Sequence, residues 1–208
     1  MTAKKARDHG QAFPIYIAVI AAMLFAALAF VVVGMAGDTR SEAQAAADAA
    51  ALAAAREARD DVFVGLSLVD LKPTDWEGIL EGARFDARGA CREAESFASQ
   101  NNATAECEVA LPRFTVSVTT ARTVGESVVP GTGAQHGKAS ATAVIKPLCS
   151  LDPAPVPTAA PVPPDDGVPK PDSVNITCVG RGSFEVDPLH PGQLSKLARA
   201  LFSVRLVS

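Results

Sequence analysis

Four cysteines are the residues of this chain best placed to do covalent chemistry: Cys91, Cys107, Cys149 and Cys178. An even count in a domain with few large apolar side chains reads as two disulfides, provided the domain lies in an oxidising compartment. Four cysteines allow three connectivities. The neighbouring pairs Cys91–Cys107 and Cys149–Cys178 are favoured, because each closes a local unit; four unpaired thiols are the rival reading. No pair has C-x-x-C spacing and no histidine is close by in sequence, so neither a zinc site nor thioredoxin-like redox chemistry is expected.

Other chemistry fails on spacing. Gly131 to Ala139 has a glycine-rich run ending in Gly137 and Lys138, but five residues separate Gly131 from Gly137 where a phosphate loop needs four. The residue after Lys138 is alanine, which offers no hydroxyl for magnesium. There is no G-x-S-x-G nucleophile turn. His9, His136 and His190 are scattered and fall outside regular elements. No catalytic, cofactor-binding or metal residue is expected, and no small-molecule substrate. A net charge of −4 with no basic stripe argues against nucleic acid as a partner.

The elements that position the cysteines begin with the apolar run 13–36, which carries no charge. As a helix it would extend about 36 Å, enough to cross a hydrocarbon core of about 30 Å. Lys4, Lys5 and Arg7 precede it, so the positive-inside rule puts the N-terminus in the cytoplasm and all four cysteines outside. Tyr16 suits the interface, and Pro14 is harmless in a first helical turn. The rival reading is a cleaved signal peptide with a small-x-small site at Gly34-Met35-Ala36. The run is longer than the 7–15 residues of a signal core, which favours a retained anchor.

Residues 38–60 contain no Gly or Pro and are dominated by alanine, so the membrane helix is expected to continue outward. Its large apolar side chain is Leu52. A smooth alanine face, with Ala47 and Ala51 at i,i+4, lets another helix approach closely. Ala47, Ala51 and Leu52 are therefore the helix-packing candidates; alanine abundance without a packing role is the bland alternative.

Residues 62–71 read as a short apolar connector. Thr74-Asp75-Trp76-Glu77 is a capping-box pattern, predicting a helix that runs to about Gln100 with Trp76 as a core anchor. Gly78, Gly82 and Gly89 weaken that helix. Three alternating runs, around Cys107–Leu111, Phe114–Thr119 and Lys138–Lys146, predict strands. Residues 152–171 are rich in proline and read as an extended spacer. A possible-strand pattern at Ser183–Val186 and an amphipathic stretch (Leu194, Leu197, Ala198, Leu201, Phe202) end the chain.

The expected fold class is α+β. A cytoplasmic N-terminus (1–12) leads to a transmembrane helix (13–37) and an alanine-rich juxtamembrane helix (38–60). A small extracytoplasmic helix-plus-antiparallel-sheet domain (61–150), a proline-rich linker (151–172) and a C-terminal tail (173–208) follow. A domain this poor in large side chains depends on its disulfides.

The block Arg7-Asp8-His9-Gly10-Gln11-Ala12-Phe13-Pro14, the apolar run and the stretch Thr39 to Ala55, with its Gln44-Ala45-Ala46-Ala47-Asp48-Ala49-Ala50-Ala51-Leu52 core, resemble the TadE/TadG-like proteins of Flp (tight-adherence) pilus assembly, especially the TadG-related proteins of actinobacteria. The resemblance covers about residues 7 to 56. Pilins of this system are cut after a glycine with glutamate at the fifth residue beyond it. Ile15 stands at that distance from Gly10, so the resemblance implies an unprocessed accessory protein. It further implies work alongside a secretion ATPase and inner-membrane platform, with the lipid bilayer and other pilus-assembly or secretion membrane proteins as partners. The expected location is the cell membrane, single-pass. A membrane-anchored or secreted surface binding module unrelated to pili is the alternative, and a cleaved secreted enzyme a remote one.

Overall fold

The computed structural model describes residues 12–123, 125, 133–152 and 173–207. It is an α+β fold built on one long helix. That helix, α1 (Ala12–Asp60), runs unbroken for 49 residues, about 74 Å at 1.5 Å per residue. Its halves differ in kind. Residues 14–31 have a mean hydropathy of 2.5 and none of them is buried. From Thr39 onward the helix enters the domain. Ala43, Ala46, Ala47, Ala50, Ala51, Ala54, Ala55 and Ala58 recur at three- and four-residue steps and are all buried, one stripe of a 3.6-residue period.

That stripe is covered by the rest of the chain. The strands β1 (Ala103–Ala110), β2 (Arg113–Thr123), β3 (His136–Pro147) and β7 (Phe202–Val207) form an antiparallel sheet in the order β1-β2-β3-β7. Phe114, Val116 and Val118 of β2 and Ala141, Ala143 and Ile145 of β3 are buried on the face that meets α1. Small side chains on the helix and on β3 let the two backbones lie close. At Gly137 the approach is closest: a Cβ there would stand 2.4 Å from the Thr39 carbonyl oxygen. Helix α3 (Ala90–Gln100) packs beside α1 through Ala90, Ala94 and Ala98, all fully buried. A second sheet, β4 (Cys149–Leu151), β5 (Val174–Cys178) and β6 (Gly182–Val186), is antiparallel in chain order and contributes Ile176 and Val186 to the same core.

Three expectations need correction. The helix anticipated from Thr74 to Gln100 is two helices, α2 (Pro73–Leu80) and α3. Gly82 adopts φ +87°, and the amides of Gly82 and Ala83 bond back to the Ile79 and Gly78 carbonyls. This is the left-handed helix stop that glycine permits. The reversal carries Phe85 into the core, edge-on to Phe202 at 5.1 Å. The capping residue also differs. Pro73 opens α2, and the Lys72 amide donates to Asp75 Oδ2 at 3.0 Å, so Asp75, three residues in, does what Glu77 was expected to do.

The second correction concerns residues 173–208, read as a tail. Val204 pairs with Ile145 and Leu206 with Ala143, so β7 is the fourth strand of the main sheet. Helix α4 (Leu194–Leu201) buries Leu197, Ala198 and Leu201 and packs on α1. The third concerns the proline-rich linker. Ser150 pairs with Thr177 and Leu151 with Ile176, and the Asp152 amide donates to the Asn175 carbonyl at 3.1 Å. The flanks of the proline-rich segment thus meet as neighbouring strands of one sheet. Residues 153–172 themselves lie outside the described residues.

Candidate functional site

The helix-packing candidates lie in the upper half of α1. Ala47 and Ala51 are 0 % exposed and belong to the domain's own core, while Leu52 is half-buried against it. The close packing expected of this alanine face takes place, but its partners are the sheet and α3 of the same chain. Methyl side chains leave room for β2 and β3 to cover the helix, and no surface remains there for a second protein's helix. The expectation that this face captures partners is corrected accordingly.

The large apolar side chains that α1 leaves open lie in its lower half. Leu24, Phe25, Phe30 and Val31 are all well exposed, Phe25 at 74 %. Apolar area of this kind, in an uninterrupted helix long enough to cross a bilayer, needs lipid or another apolar surface around it.

Both disulfides join the expected neighbours. Cys91 of α3 is bonded to Cys107 of β1, with Cα atoms 5.5 Å apart. The bridge pins the helix lying on α1 to the edge strand of the main sheet. Cys149 of β4 is bonded to Cys178 directly opposite on β5. It clasps the base from which the proline-rich segment leaves and to which it returns. The Thr177 hydroxyl reinforces this base, donating to Asp152 Oδ1 at 2.5 Å.

At the top of the domain an ionic cluster locks α4 to α1. Arg199 donates through Nε and a terminal nitrogen to Asp60 Oδ2, at 3.0 and 2.5 Å, and Arg59 donates to Asp60 Oδ1 at 2.7 Å. Burial alone would raise the Asp60 carboxyl, but the hydrogen bonds from Arg199 and Arg59 outweigh it and hold it below the usual carboxylate value. Glu57, one turn earlier, is shifted the other way. Desolvation pushes it up, the charges of Asp61, Glu93 and Asp60 add to this, and Arg92 opposes. The cluster is structural: its work is to join two helices. It was not anticipated, since Asp60 and Arg199 are far apart in sequence.

The outer face of the main sheet carries hydroxyls. Thr115 and Thr142 bond at 3.0 Å and Ser117 and Ser140 at 3.3 Å across strands, as opposite residues of antiparallel strands do. Of the scattered histidines, His136 bonds the Thr120 carbonyl through Nδ1 at 2.7 Å and His190 lies 3.2 Å from Asp187; His9 lies outside the described residues. Of the glycine-rich run, Gly131 and Thr132 also lie outside them, while Lys138 is an exposed strand residue. Trp76 is the expected core anchor, fully buried 6.0 Å from Phe63, with its indole N–H unpartnered among the described residues.

Residues 10–57 match the family described as putative Flp pilus-assembly TadE/G-like. The matched segment includes the exposed apolar half of α1 and nearly all of its buried alanine stripe. No curated protein and no solved structure matches the chain.

Proposed function

We propose, from the match of residues 10–57 to the family described as putative Flp pilus-assembly TadE/G-like, that this chain is a single-pass membrane accessory protein of Flp pilus assembly or secretion, working by protein–protein contact. The N-terminus lies in the cytoplasm and the disulfide-tied domain outside. The observation that carries this reading is the division of one unbroken helix into an apolar half, of which residues 14–31 are all exposed, and an alanine half buried in the domain. The first half suits lipid and the second fixes the domain rigidly above it. The positive charges before residue 13 and the placement of every cysteine beyond it support the orientation.

Partner contact is assigned to other membrane proteins of the assembly machinery. It falls to the exposed lower half of α1 and to the domain's outer surfaces, because Ala47 and Ala51 are occupied within the fold. No catalytic step is assigned. The test is deletion and complementation in the host. Loss of the chain abolishes Flp pili, and the full chain restores them from the membrane fraction with its N-terminal peptide intact. Unchanged piliation in the deletion strain removes the pilus role. A mature protein beginning at Gly37 removes the anchor.

A further inference from the structure

We propose that the membrane-proximal end of the domain rests within the phospholipid headgroup layer, with Arg40 and Lys138 facing lipid phosphate. This rests on the reading that the lower half of α1 spans the bilayer. Three observations carry it further than that reading.

The first is distance along the helix. The apolar run ends at Ala36, and Thr39 is already buried in the domain. Three residues of helix rise about 4.5 Å, whereas the headgroup layer of one leaflet is roughly 5–7 Å thick. The helix is unbroken through this stretch, so no tether lifts the domain away from the surface.

The second is the direction of the sheet. Gly137 lies against the Thr39 carbonyl, and Ser140, Ala141 and Thr142 line a common groove with Gln44 and Asp48. Strand β3 therefore climbs alongside α1, with its start lowest and Pro147 highest. Arg122 near the end of β2 pairs with Glu42, at the same level. The sheet thus comes down to the depth of residue 39, within the headgroup layer.

The third is charge. Arg40 and Lys138 are exposed at this level together with the carboxylate of Asp38, and neither cation forms an ion pair among the described residues. Arg122 is already matched by Glu42. A cation held at headgroup depth finds its natural counter-ion in lipid phosphate. Lys146 is a control built into the same strand. It is exposed, points to the same face as Lys138, and lies eight residues higher, roughly 26 Å away.

The experiment uses the full chain in phospholipid nanodiscs. A photo-crosslinking benzoylphenylalanine is placed at Lys138, at Lys146 or at Phe25 in the apolar run, and lipid adducts are read by mass spectrometry after irradiation. Adducts at positions 138 and 25, several-fold above position 146, are expected. An adduct at 25 with none at 138, or equal yields at 138 and 146, overturns the headgroup docking and leaves the anchor standing. No adduct at 25 overturns the anchor itself, and the docking with it. A second variant carries the crosslinker at exposed Ala121 in an Arg40→Gln, Lys138→Gln background. Its lipid adduct is expected to fall several-fold relative to the same position with both cations present, and an unchanged yield overturns the phosphate contact.

Discussion

Replacing Ala51 by leucine distinguishes an internal alanine face from an external one. On an open helix face the change is harmless, since leucine is almost as good a helix former as alanine. In the fold, Ala51 has no exposed surface and lies in the core that α1 shares with β2, β3 and α3. Leucine adds three carbons there. If the site could expand freely, burying them would gain about 2.4 kcal/mol at about 0.8 kcal/mol each. A packed interior does not expand freely, and forcing extra methylenes into it costs typically about 1–3 kcal/mol net. With about 2–4 °C of melting temperature per kcal/mol for a domain of this size, a cost of about 2 kcal/mol lowers the midpoint by about 4–8 °C. Trp76 is the sole tryptophan and is fully buried in the domain core. Its fluorescence or near-ultraviolet dichroism therefore follows the domain even while the apolar half of α1 stays helical in detergent. Ala45→Leu is the control: the same substitution at an exposed position of the same stretch of helix. It should stay within about 0.5 kcal/mol of the parent. An Ala51→Leu protein that melts with the parent would refute the packing of α1 against its own sheet and α3.

Removing Cys149 and Cys178 together, 29 positions apart, should cost about 3.6 kcal/mol by loop-closure entropy, and removing Cys91 and Cys107 about 3 kcal/mol; denaturant unfolding under non-reducing conditions measures both. Gly137→Ala should destabilise by about 1–3 kcal/mol because its methyl meets the Thr39 carbonyl, and a midpoint equal to the parent's would mean that β3 does not lie on the helix there. Asp60 has a depressed folded pKa, so its contribution is present above the unfolded value of about 3.9 and is lost as pH falls through the lower folded value; Asp60→Asn should flatten the loss of stability on acidification below about pH 4. Glu57 has a raised folded pKa, so its ionised form opposes folding at neutral pH and its effect on stability improves as pH falls through that raised value; Glu57→Gln should raise the neutral-pH midpoint, and a lowered one would contradict the repulsion from Asp61 and Glu93.

Some of this protein is written in local sequence. An uncharged apolar run and an alanine-rich stretch without Gly or Pro specify helix by composition alone, and α1 follows both. Alternation of small or β-branched residues with polar ones marks β1, β2 and β3. The disulfide pairing was legible as a preference, because cysteines close in sequence close short loops. What lies against each element was not legible. An alanine stripe is equally suited to a foreign helix or to its own sheet, and only the arrival of β2, β3 and α3 decides which. The split between α2 and α3 hinged on one left-handed glycine, Gly82, among three weak ones. In Phe202–Val207, Phe202, Val204 and Leu206 alternate with Ser203 and Arg205, a signal for β7 that the preceding helical pattern masked. Its partner β3 is more than fifty residues away, with the proline-rich segment between them. Local sequence sets which backbone shape each segment prefers, because propensity and periodicity act over a few residues. The cover of the alanine stripe, the return of the chain into the main sheet and the Asp60–Arg199 lock depend on distant surfaces meeting, so they were decided only by the tertiary fold.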